Sequence, residues 1–424
     1  GHDDVTVMDY TSLYPTSIMS FNLSPETFIA SEQGCNQIGV NIEDVVQQLK
    51  TDNIKYVDTG KHDDLFGERY LFYSQEHKLG LLPYVLKKLF LKRVEINRAL
   101  KAGEYAGDEA VAMDKRQWAY KLILNSAYGA MGFNFFRLYK PEVADAITFF
   151  ARQALKFAVL EFQGYGHKTL YGDTDSIFVK SEGKTEPEMV KQLDIFNQSL
   201  KENLVKKYNT GLQDEYMMMD LKFEYDMEKI YFGNSKKRYY GIVRNTGKKY
   251  IRGMNIIRKD TPEFMKEALN KVAEFAVREE LTLNHVIALR KKIESVEYKL
   301  IGISKSFTKK FDEYTKTMPQ HVKASLWANK MLETSIDNTD NPYLFYVKSN
   351  CEDDIKARDR QTAICLNEED LPLIDSRKDI FEIDYDKFFE KQVLDQLKEF
   401  KYIESVKDIL EEYKNIIKEE KLVK

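Results

Sequence analysis

The chain contains few cysteines, and this scarcity excludes several classes of protein. Cys35, Cys351 and Cys365 are the only three in 424 residues, and they lie far apart without C-x-x-C spacing. We therefore expect neither a structural zinc site nor a disulfide framework, and the pattern is typical of a cytoplasmic protein in a reducing compartment. The six histidines do not cluster, and the sequence has no internal repeat or low-complexity segment.

Long apolar runs are also missing from the sequence. No stretch approaches the ~18 apolar residues that a membrane-spanning helix needs, and no signal peptide is visible, so we expect no membrane partner. Hydrophobic residues nevertheless make up 43% of the chain, which includes 26 Tyr and 25 Phe. A chain of this length and composition can form roughly two to four compact units with sizeable cores.

Negative charge is in slight excess, but the basic residues are concentrated in one segment. The formal net charge is −4, whereas residues 236–259 contain nine Lys or Arg, no Asp or Glu, and interleaved tyrosines. This composition suits a sequence-independent contact with a phosphate backbone; a solvated, flexible surface is the alternative. Alternating residues around a turn of Asn245, Thr246 and Gly247 predict an ordered β-hairpin there.

The most informative stretch is Y-G-D-T-D-S at residues 171–176, which lies between two β-rich runs. It predicts a hairpin with Asp173 and Asp175 at its tip. Asp9 ends another β-rich run and is a third candidate acid. Converging carboxylates repel one another unless cations neutralise them, and Mg²⁺ is the hard cation that such oxygen ligands suit. The alternative for the tip is an Asx-type turn, in which short acids bond their own backbone.

A helix is predicted between these acids. At about 100° per residue, Lys121, Asn125 and Tyr128 share one face, which Asp114 and Gln117 extend. The rest of the helix is largely apolar, so we expect it to be mostly buried. The shared face could bind a nucleotide, with Lys121 on the phosphates, Tyr128 stacked on a base and Asn125 at an edge.

Three motifs together resemble the signatures of family-B DNA polymerases. They are D-x-x-S-L-Y-P at residues 9–15, K-x-x-x-N-S-x-Y-G at 121–129 and Y-G-D-T-D-S at 171–176. Each is a modest signal, but all three in this order are highly specific. The resemblance extends from residue 5 to about residue 347, and S-P-E-T at residues 24–27 is similar to phage and archaeal members.

The resemblance implies an α+β fold: an antiparallel-sheet polymerase palm with helical fingers and a mostly helical thumb. It assigns residues 1–82 to the first part of the palm, with a peripheral insert, and residues 83–133 to the fingers. Residues 134–257 would be the second part of the palm, and residues 258–424 the thumb. Two long helices, over residues 84–102 and 108–129, would form the fingers.

The resemblance also implies a two-metal phosphoryl-transfer site. Asp9 and Asp175 would hold two Mg²⁺ ions, which Mn²⁺ could replace, and Asp173 would assist as a less central ligand. These acids would be the catalytic residues of template-directed addition of deoxynucleotides to a primer 3′-hydroxyl.

The nucleotide site follows from the same resemblance. The four backbone N–H groups from Tyr10 to Leu13, including those of Ser12 and Leu13, could bind phosphate oxygens if their turn opens a helix. Tyr14 would face the sugar and exclude a 2′-hydroxyl, although plain core packing is the alternative for this ring. Lys121 and Arg93 would contact the triphosphate, and Asn125 and Tyr128 would border the nascent base pair. Asn97 replaces a second cation of the family, so Arg98 or Lys92 would have to substitute.

Primer-template DNA and deoxynucleoside triphosphates are the implied partners. Lys236, Lys237, Arg238 and Tyr239 resemble the family's primer-template motif. The following Gly253 belongs to a second motif, in which Asn255 stands where the family usually has an acid. P-Q-H-V-K at residues 319–323 resembles a thumb motif.

The family's exonuclease motif was not found upstream of the first acid. We therefore expect a natural split subunit or an engineered truncation without proofreading, with a separate chain as the possible carrier of the exonuclease and N-terminal domains.

Two other functions remain open from the sequence. A catalytically inactive, DNA-binding polymerase-like scaffold would show binding without extension, although such decay usually removes the costly acids. A nucleotidyl cyclase can share a palm-like fold and two acids, but it has no use for the fingers helices or for the basic segment.

Overall fold

The computed structural model describes residues 1–60, 67–254, 256, 260–314, 317–349 and 361–423. The chain forms two compact units, with the boundary inside a β-strand. The N-terminal unit comprises Asp4–Asp226, and the C-terminal unit comprises Met227–Lys424 together with Gly1–Asp3. The four segments expected from the sequence remain a prediction, and Asn255 and Cys351 lie outside the described residues.

The N-terminal unit contains strands from three regions of the sequence and a series of helices. The strands are β1 (His2–Tyr10), β2 (Phe28–Ser31), β3 (Tyr56–Asp58), β4 (Tyr70–Tyr73), β5 (Thr169–Asp173), β6 (Ser176–Lys180) and the start of β7 (Leu221–Phe232). The helices are α1 (Leu13–Ser20), α2 (Glu32–Gln37), α3 (Ile42–Thr51), α4 (Leu81–Lys101), α5 (Gly107–Met131), α6 (Pro141–Gly164), α7 (Glu186–Ser199) and α8 (Lys206–Tyr208).

The C-terminal unit begins with the end of β7 and alternates short strands with helices. Its strands are β8 (Tyr239–Val243), β9 (Lys249–Arg252), β10 (Ile303–Ser304), β11 (Tyr343–Ser349), β12 (Ala363–Leu366) and β13 (Phe381–Ile383). Its helices are α9 (Glu263–Arg278), α10 (Leu283–Ile293), α11 (Tyr298–Ile301), α12 (Gln320–Met331), α13 (Leu373–Ser376), α14 (Tyr385–Phe389), α15 (Asp395–Leu397) and α16 (Glu404–Val423).

An antiparallel sheet forms the centre of the N-terminal unit. Strand β1 lies between β6 and β7, and β6 pairs in turn with β5. The middle of β1 is buried on both faces, which explains its apolar run rather than a strict alternation. Helix α6 packs on this sheet, and the buried Tyr10 hydroxyl donates a hydrogen bond to the Ala154 carbonyl at 2.8 Å. The sheet with its covering helix confirms the expected α+β class.

The two long helices predicted for the fingers are present, as α4 and α5, and they pack against each other. Pro83 lies in the first turn of α4, and Gly103, with φ 69°, follows its end, as the sequence indicates. The expectation that α5 is mostly buried is wrong. Only Leu124 and Met131 are buried in this helix, while Trp118 is 52% exposed. Several apolar residues of α5 are therefore exposed, and their apolar character does not indicate that the helix is buried.

The peripheral insert expected in the first part of the palm contains a small layer, built from the described residues in 28–60 and 67–73. Strands β2, β4 and β3 make a three-stranded antiparallel sheet with α2 and α3 beside it. The buried Arg69 forms ion pairs with Asp58 and Glu43, each at 2.7 Å. Both acids are partly exposed, and together they neutralise the buried guanidinium, as a buried charge requires.

The C-terminal unit is helical over much of its length, as expected, but it also holds a sheet that the sequence did not predict. Strands β10, β11 and β12 are antiparallel neighbours, and β13 pairs with the far end of β11. The four strands are short and separated by long intervals, so no local hairpin signal marks them. In the part of the chain that the structure describes, no helix is long and apolar enough to cross a membrane.

Candidate active site

The register of the central sheet brings the end of β1 to the start of β6. Asp9 is paired with Ser176, whose hydroxyl donates a hydrogen bond to an Asp9 carboxylate oxygen at 2.9 Å. The next residue, Tyr10, donates its N–H to the Asp175 carbonyl at 2.8 Å. Asp9 and Asp175, which are remote in sequence, therefore lie beside each other.

The predicted hairpin is present, and its tip is a two-residue turn. Asp173 ends β5 opposite Ser176 at the start of β6, with Thr174 and Asp175 between them. Thr174 adopts a left-handed conformation with φ 55°, and its hydroxyl donates to the Asp173 carboxylate at 3.1 Å. This bond joins two side chains, whereas the Asx-type turn considered as the alternative joins a carboxylate to the backbone, so the bond does not decide between the two readings of Asp173. It does not account for the proximity of Asp175 to Asp9.

The electrostatic environment of Asp9 is unusual for a carboxylate. Burial and the negative charge of Asp175 raise the pKa of Asp9 to about 7, and Glu224 adds to the rise. The hydrogen bond from Ser176 and the positive charge of Lys121 act in the opposite direction and lower this pKa. A carboxyl group with such a pKa gains strongly from a nearby cation, because the cation stabilises its charged form.

The donor set of this site suits a divalent cation that other ligands complete. Among the described residues, no group of three or more His, Cys, Asp or Glu forms a ready metal cluster. Mg²⁺, however, is commonly held by one or two carboxylates, completed by waters and substrate phosphates. The pair of Asp9 and Asp175 fits this pattern, and the role of Asp173 as a further ligand stays a prediction.

The turn after Asp9 opens helix α1 at Leu13, as the phosphate-binding hypothesis required. Ser12 precedes the helix in a left-handed conformation with φ 51° and gives no side-chain cap. The N–H of Tyr10 bonds Asp175, and that of Thr11 bonds the Asp220 carbonyl at 2.9 Å. Of the four predicted N–H groups, those of Ser12 and Leu13 remain the candidates for phosphate oxygens.

Two of the predicted nucleotide residues are in direct contact. The ring centroids of Tyr14 on α1 and Tyr128 on α5 are 4.7 Å apart, with planes inclined by 46°. Both rings are half-buried against the core of the unit. The two rings, for which the sequence predicted separate roles, thus form one continuous aromatic surface, called the aromatic wall below.

The face of α5 predicted to bind a nucleotide carries Lys121, Asn125 and Tyr128 on successive turns. Lys121 is half-buried, its Nζ lies 5.1 Å from the centroid of the Trp118 ring, and it acts electrostatically on Asp9. Asn125 is exposed one turn further along the helix. The cation, the amide and Tyr128 are therefore in the same unit as the carboxylate pair.

Arg93 on α4 is linked to α5 rather than isolated on the surface. Its Nε donates to the Gln117 amide oxygen at 3.4 Å, and the Gln117 amide donates to Asp114 at 3.0 Å. Partial burial lowers the pKa of the Arg93 guanidinium, which stays charged because its usual value is so high. The polar stripe of α5 thus provides a specific partner for Arg93.

The predicted DNA-binding residues lie in the C-terminal unit around the hairpin of β8 and β9. Lys236 and Lys237 are exposed. Arg238 forms an ion pair with Glu399 at 3.0 Å, and Tyr239 is only 3% exposed and stacks on Tyr250. The structure thus gives Arg238 and Tyr239 internal contacts, while the two lysines keep the accessibility that a phosphate contact needs.

Gly253 follows this hairpin in a left-handed conformation with φ 63°. A Cβ at this position would overlap the carbonyl oxygen of Lys237. The backbone of Lys237 is also left-handed, with φ 63°. The glycine therefore permits a close backbone approach that fixes the segment carrying the lysines.

Two residues of the site were missed by sequence reasoning. Ser176 was included in a motif, but only the pairing of β1 with β6 shows that it bonds Asp9. Glu224 lies on β7, which neighbours β1 although the two strands are far apart in sequence. Alternating charges at Lys222, Glu224 and Asp226 were the available signal, but they do not reveal the neighbouring strand.

The family described as DNA polymerase family B matches residues 2–402. A DNA polymerase of Archaeoglobus fulgidus is 29% identical over 336 residues, which cover 78% of this chain and 36% of that protein. DNA polymerase 1 of Saccharolobus solfataricus is 28% identical over 367 residues, which cover 83% of this chain and 36% of that protein. The chain thus spans about a third of the length of these relatives.

A more distant relative and a solved structure agree with these matches. The DNA polymerase alpha catalytic subunit of Xenopus laevis is 25% identical over 77% of this chain and 21% of that protein. The structure of the family B DNA polymerase from the archaeon Pyrobaculum calidifontis superimposes with a TM-score of 0.59 at 25% identity. This alignment covers 96% of this chain and 45% of that one.

Proposed function

Since the chain belongs to DNA polymerase family B, we propose that it catalyses template-directed addition of deoxynucleotides to a primer 3′-hydroxyl. The observation that carries this proposal is the electrostatically coupled pair of Asp9 and Asp175 at the meeting of β1 and the β5–β6 hairpin. In phosphoryl transfer the protein contributes mainly by positioning the reactants and neutralising their charge. A pair of carboxylates that can hold metal ions meets both needs.

Polymerases of this family generally use divalent metal ions, and we propose two Mg²⁺ ions, replaceable by Mn²⁺, for this chain. Asp9 and Asp175 would hold them, with Asp173 as an auxiliary ligand. Bound divalent ions would activate the primer hydroxyl and neutralise the departing pyrophosphate. Ser176 supports this arrangement because its hydrogen bond orients the Asp9 carboxylate and favours the charged form.

The remaining residues of the unit would bind the incoming nucleotide. Lys121 supplies a positive charge near the carboxylate pair, where the triphosphate has to lie. Arg93, held by Gln117, would add a forked contact to the phosphates. The joined rings of Tyr14 and Tyr128 would form the wall beside the sugar and the base, with Asn125 at its rim.

Primer-template DNA would be the partner of the basic segment in the C-terminal unit. Lys236 and Lys237 are exposed and would neutralise backbone phosphates without reading the sequence. Arg238 would contribute less, since it is engaged with Glu399, and Tyr239 and Gly253 would act by shaping the segment.

A primer-extension assay tests the proposal. The chain is incubated with a primed template, deoxynucleotides and Mg²⁺, and compared with Asp175→Asn and with Asp194→Asn, an exposed acid on α7. Extension should fall at least about a hundredfold in Asp175→Asn and persist in the control. Binding of the primed template by the unaltered chain without any extension would instead favour an inactive scaffold.

The predicted lack of proofreading is tested in the same reaction without nucleotides. A 5′-labelled primer with a mismatched 3′ end should remain intact in the presence of this chain and Mg²⁺. Progressive shortening of the primer would contradict the prediction, whether or not the Asp175→Asn variant also shortens it. A separate exonuclease chain would then not be needed.

A further inference from the structure

Two side-chain amides from remote parts of the N-terminal unit hold the C-terminal end of helix α1. The last four carbonyl groups of a helix find no partner within it. In α1, two of the four accept backbone N–H groups of the residues that follow, each at 3.0 Å. The other two, from Met19 and Ser20, each accept a side-chain amide at 2.8 Å, from Gln75 and Asn209 respectively. All four carbonyls are therefore bonded, two of them by residues remote in sequence.

Asn209 uses its full hydrogen-bonding capacity in this arrangement. Its amide N–H groups donate to the Ser20 carbonyl and to the Gln75 side-chain oxygen, each at 2.8 Å. Its own oxygen accepts the Ser74 hydroxyl and, at 3.3 Å, the Gly211 N–H. Because a backbone carbonyl only accepts and a backbone N–H only donates, these partners fix the orientation of the amide. A carboxylate or an apolar side chain of similar size could not form the same set of bonds.

This network is buried and joins three segments of the chain. Gln75 is 4% exposed, Asn209 is 1% exposed and Ser20 is fully buried. Gln75 follows strand β4 and Asn209 follows helix α8, so both donors come from elements other than α1. A buried carbonyl left without a donor loses its solvation, so such bonds are costly to break. They therefore constrain the end of α1 more firmly than exposed contacts would.

The other end of α1 carries residues of the proposed nucleotide site. Ser12 and Leu13 stand where the helix opens, and Tyr14 belongs to the aromatic wall. All residues of α1 except Tyr14 are buried, so the helix is enclosed by close-packed neighbours, which transmit a displacement rather than absorb it. An eight-residue helix is only about 12 Å long, so a shift at its C-terminal end would also move its start.

We propose that Gln75 and Asn209 are positioning residues for the incoming nucleotide, an inference that rests on the proposed polymerase function. By bonding the Met19 and Ser20 carbonyls, they keep the start of α1 in place for the triphosphate and Tyr14 within the aromatic wall. Both amides are buried at the opposite end of the helix, so they act through α1 rather than by touching the nucleotide. A misplacement of about 1 Å is enough to weaken contacts of this kind substantially.

Single-nucleotide insertion on a primed template tests the proposal by separating KM from kcat. Gln75→Met and Asn209→Ala each remove a donor to α1, so each should raise the KM for the deoxynucleotide at least about fivefold and change kcat less than about twofold. Asn197→Ala is the matched control, because Asn197 also bonds the backbone of a remote residue, Leu221, at 2.9 and 3.0 Å. Unchanged KM in both variants, or an equal rise in the control, would overturn the positioning role.

Hydrogen exchange of the α1 backbone gives a second measurement that does not depend on polymerase activity. Exchange should be at least about tenfold faster in Gln75→Met than in the unaltered chain or in Asn197→Ala. Ser74→Ala removes only one bond to Asn209, so it should fold even where the larger changes prevent folding, and it should loosen α1 to a smaller degree.

The two measurements also separate this inference from the proposed function. Equal exchange of α1 in the unaltered chain, Gln75→Met and Ser74→Ala would contradict the holding of the helix by this network. Unchanged KM in variants that extend primers would refute the positioning role alone. A lack of extension by the unaltered chain would refute the polymerase function, and with it the nucleotide role of the two amides.

Discussion

The ring of Tyr14 lies against the ring of Tyr128, with centroids 4.7 Å apart, although the two residues come from different helices and are 114 positions apart in the chain. Each ring limits the movement of the other, so the wall they form is stiffer than a single exposed tyrosine. A stiff wall can discriminate between ligands that differ by one small group, because it cannot move aside to admit the larger one.

Tyr14→Ala should therefore admit ribonucleotides. In the proposed nucleotide site, removing this ring would open space beside the sugar and free Tyr128, so we expect the preference for deoxynucleotides over ribonucleotides to fall roughly 10- to 100-fold. Single-nucleotide insertion with each sugar measures the ratio. Tyr402→Ala, at a tyrosine that is 69% exposed, is the control and should leave the ratio unchanged. Unaltered sugar discrimination in Tyr14→Ala would reject this role for the ring.

Asp9→Asn should stabilise the metal-free chain at alkaline pH. The pKa of Asp9 is about 7 in the folded state, compared with 3.8 for a free side chain, so folding favours its protonated form. The unfolded chain loses this proton near pH 4 and the folded chain near pH 7, so Asp9 reduces the stability progressively across this window and fully above it. The asparagine, which does not ionise, avoids this loss.

Chemical denaturation with a chelator at pH 5 and pH 8.5 measures the effect. The quantity compared is the free energy of unfolding of Asp9→Asn minus that of the unaltered chain. Allowing for solvent screening of the half-buried group, this difference should be about 1–2 kcal/mol more favourable to the variant at pH 8.5 than at pH 5. Added Mg²⁺ should reverse the gain, since only the carboxylate binds it. Asp194→Asn, an exposed acid, should show no pH-dependent difference. A pH-independent effect of Asp9→Asn would refute the raised pKa.

Lys237→Ala should weaken binding of primed DNA in a salt-dependent way. Each phosphate contact releases a counterion, so the loss of one should reduce the slope of log affinity against log salt by about 1. Fluorescence anisotropy at several salt concentrations gives the slope. The control, Lys407→Ala on α16, removes another exposed charge, outside the basic segment. Equal slopes for Lys237→Ala and the unaltered chain would exclude this lysine from the DNA contact.

Local patterns in the sequence predicted the elements whose residues are neighbours in the chain. The long helices α4 and α5 and the hairpin that carries Asp173 and Asp175 are of this kind. The exposed surface of α5 was mispredicted because its apolar residues resemble a core face, and sequence periodicity does not distinguish a core from an exposed apolar surface.

Contacts between distant strands could not be predicted in this way. The proximity of Glu224 to Asp9 depends on β7 lying next to β1, and the β10–β13 sheet is assembled from strands spread over eighty positions. Pairing of this kind depends on tertiary packing, which leaves no periodic signal in either strand alone. The proximity of Asp9 to the hairpin was predicted from the family motifs, because periodicity alone does not predict contacts between distant segments.

Gly253→Ala should destabilise the chain much more than Gly247→Ala. Both glycines adopt left-handed conformations, with φ 63° and 62°, so each substitution carries the same backbone strain of about 1 kcal/mol. A Cβ at position 253 would also overlap the Lys237 carbonyl oxygen, whereas nothing lies within 4 Å at position 247. The alanine at 253 must therefore displace the backbone that carries Lys237.

The difference between the two variants isolates this overlap. We expect Gly253→Ala to lose at least about 2 kcal/mol more than Gly247→Ala in denaturant unfolding, because a clash with backbone cannot be relieved by a side-chain rotation. It should also weaken binding of primed DNA, since the exposed Lys236 and Lys237 would no longer be held in place. Equal stability of the two variants would mean that residues 237 and 253 do not approach each other in solution.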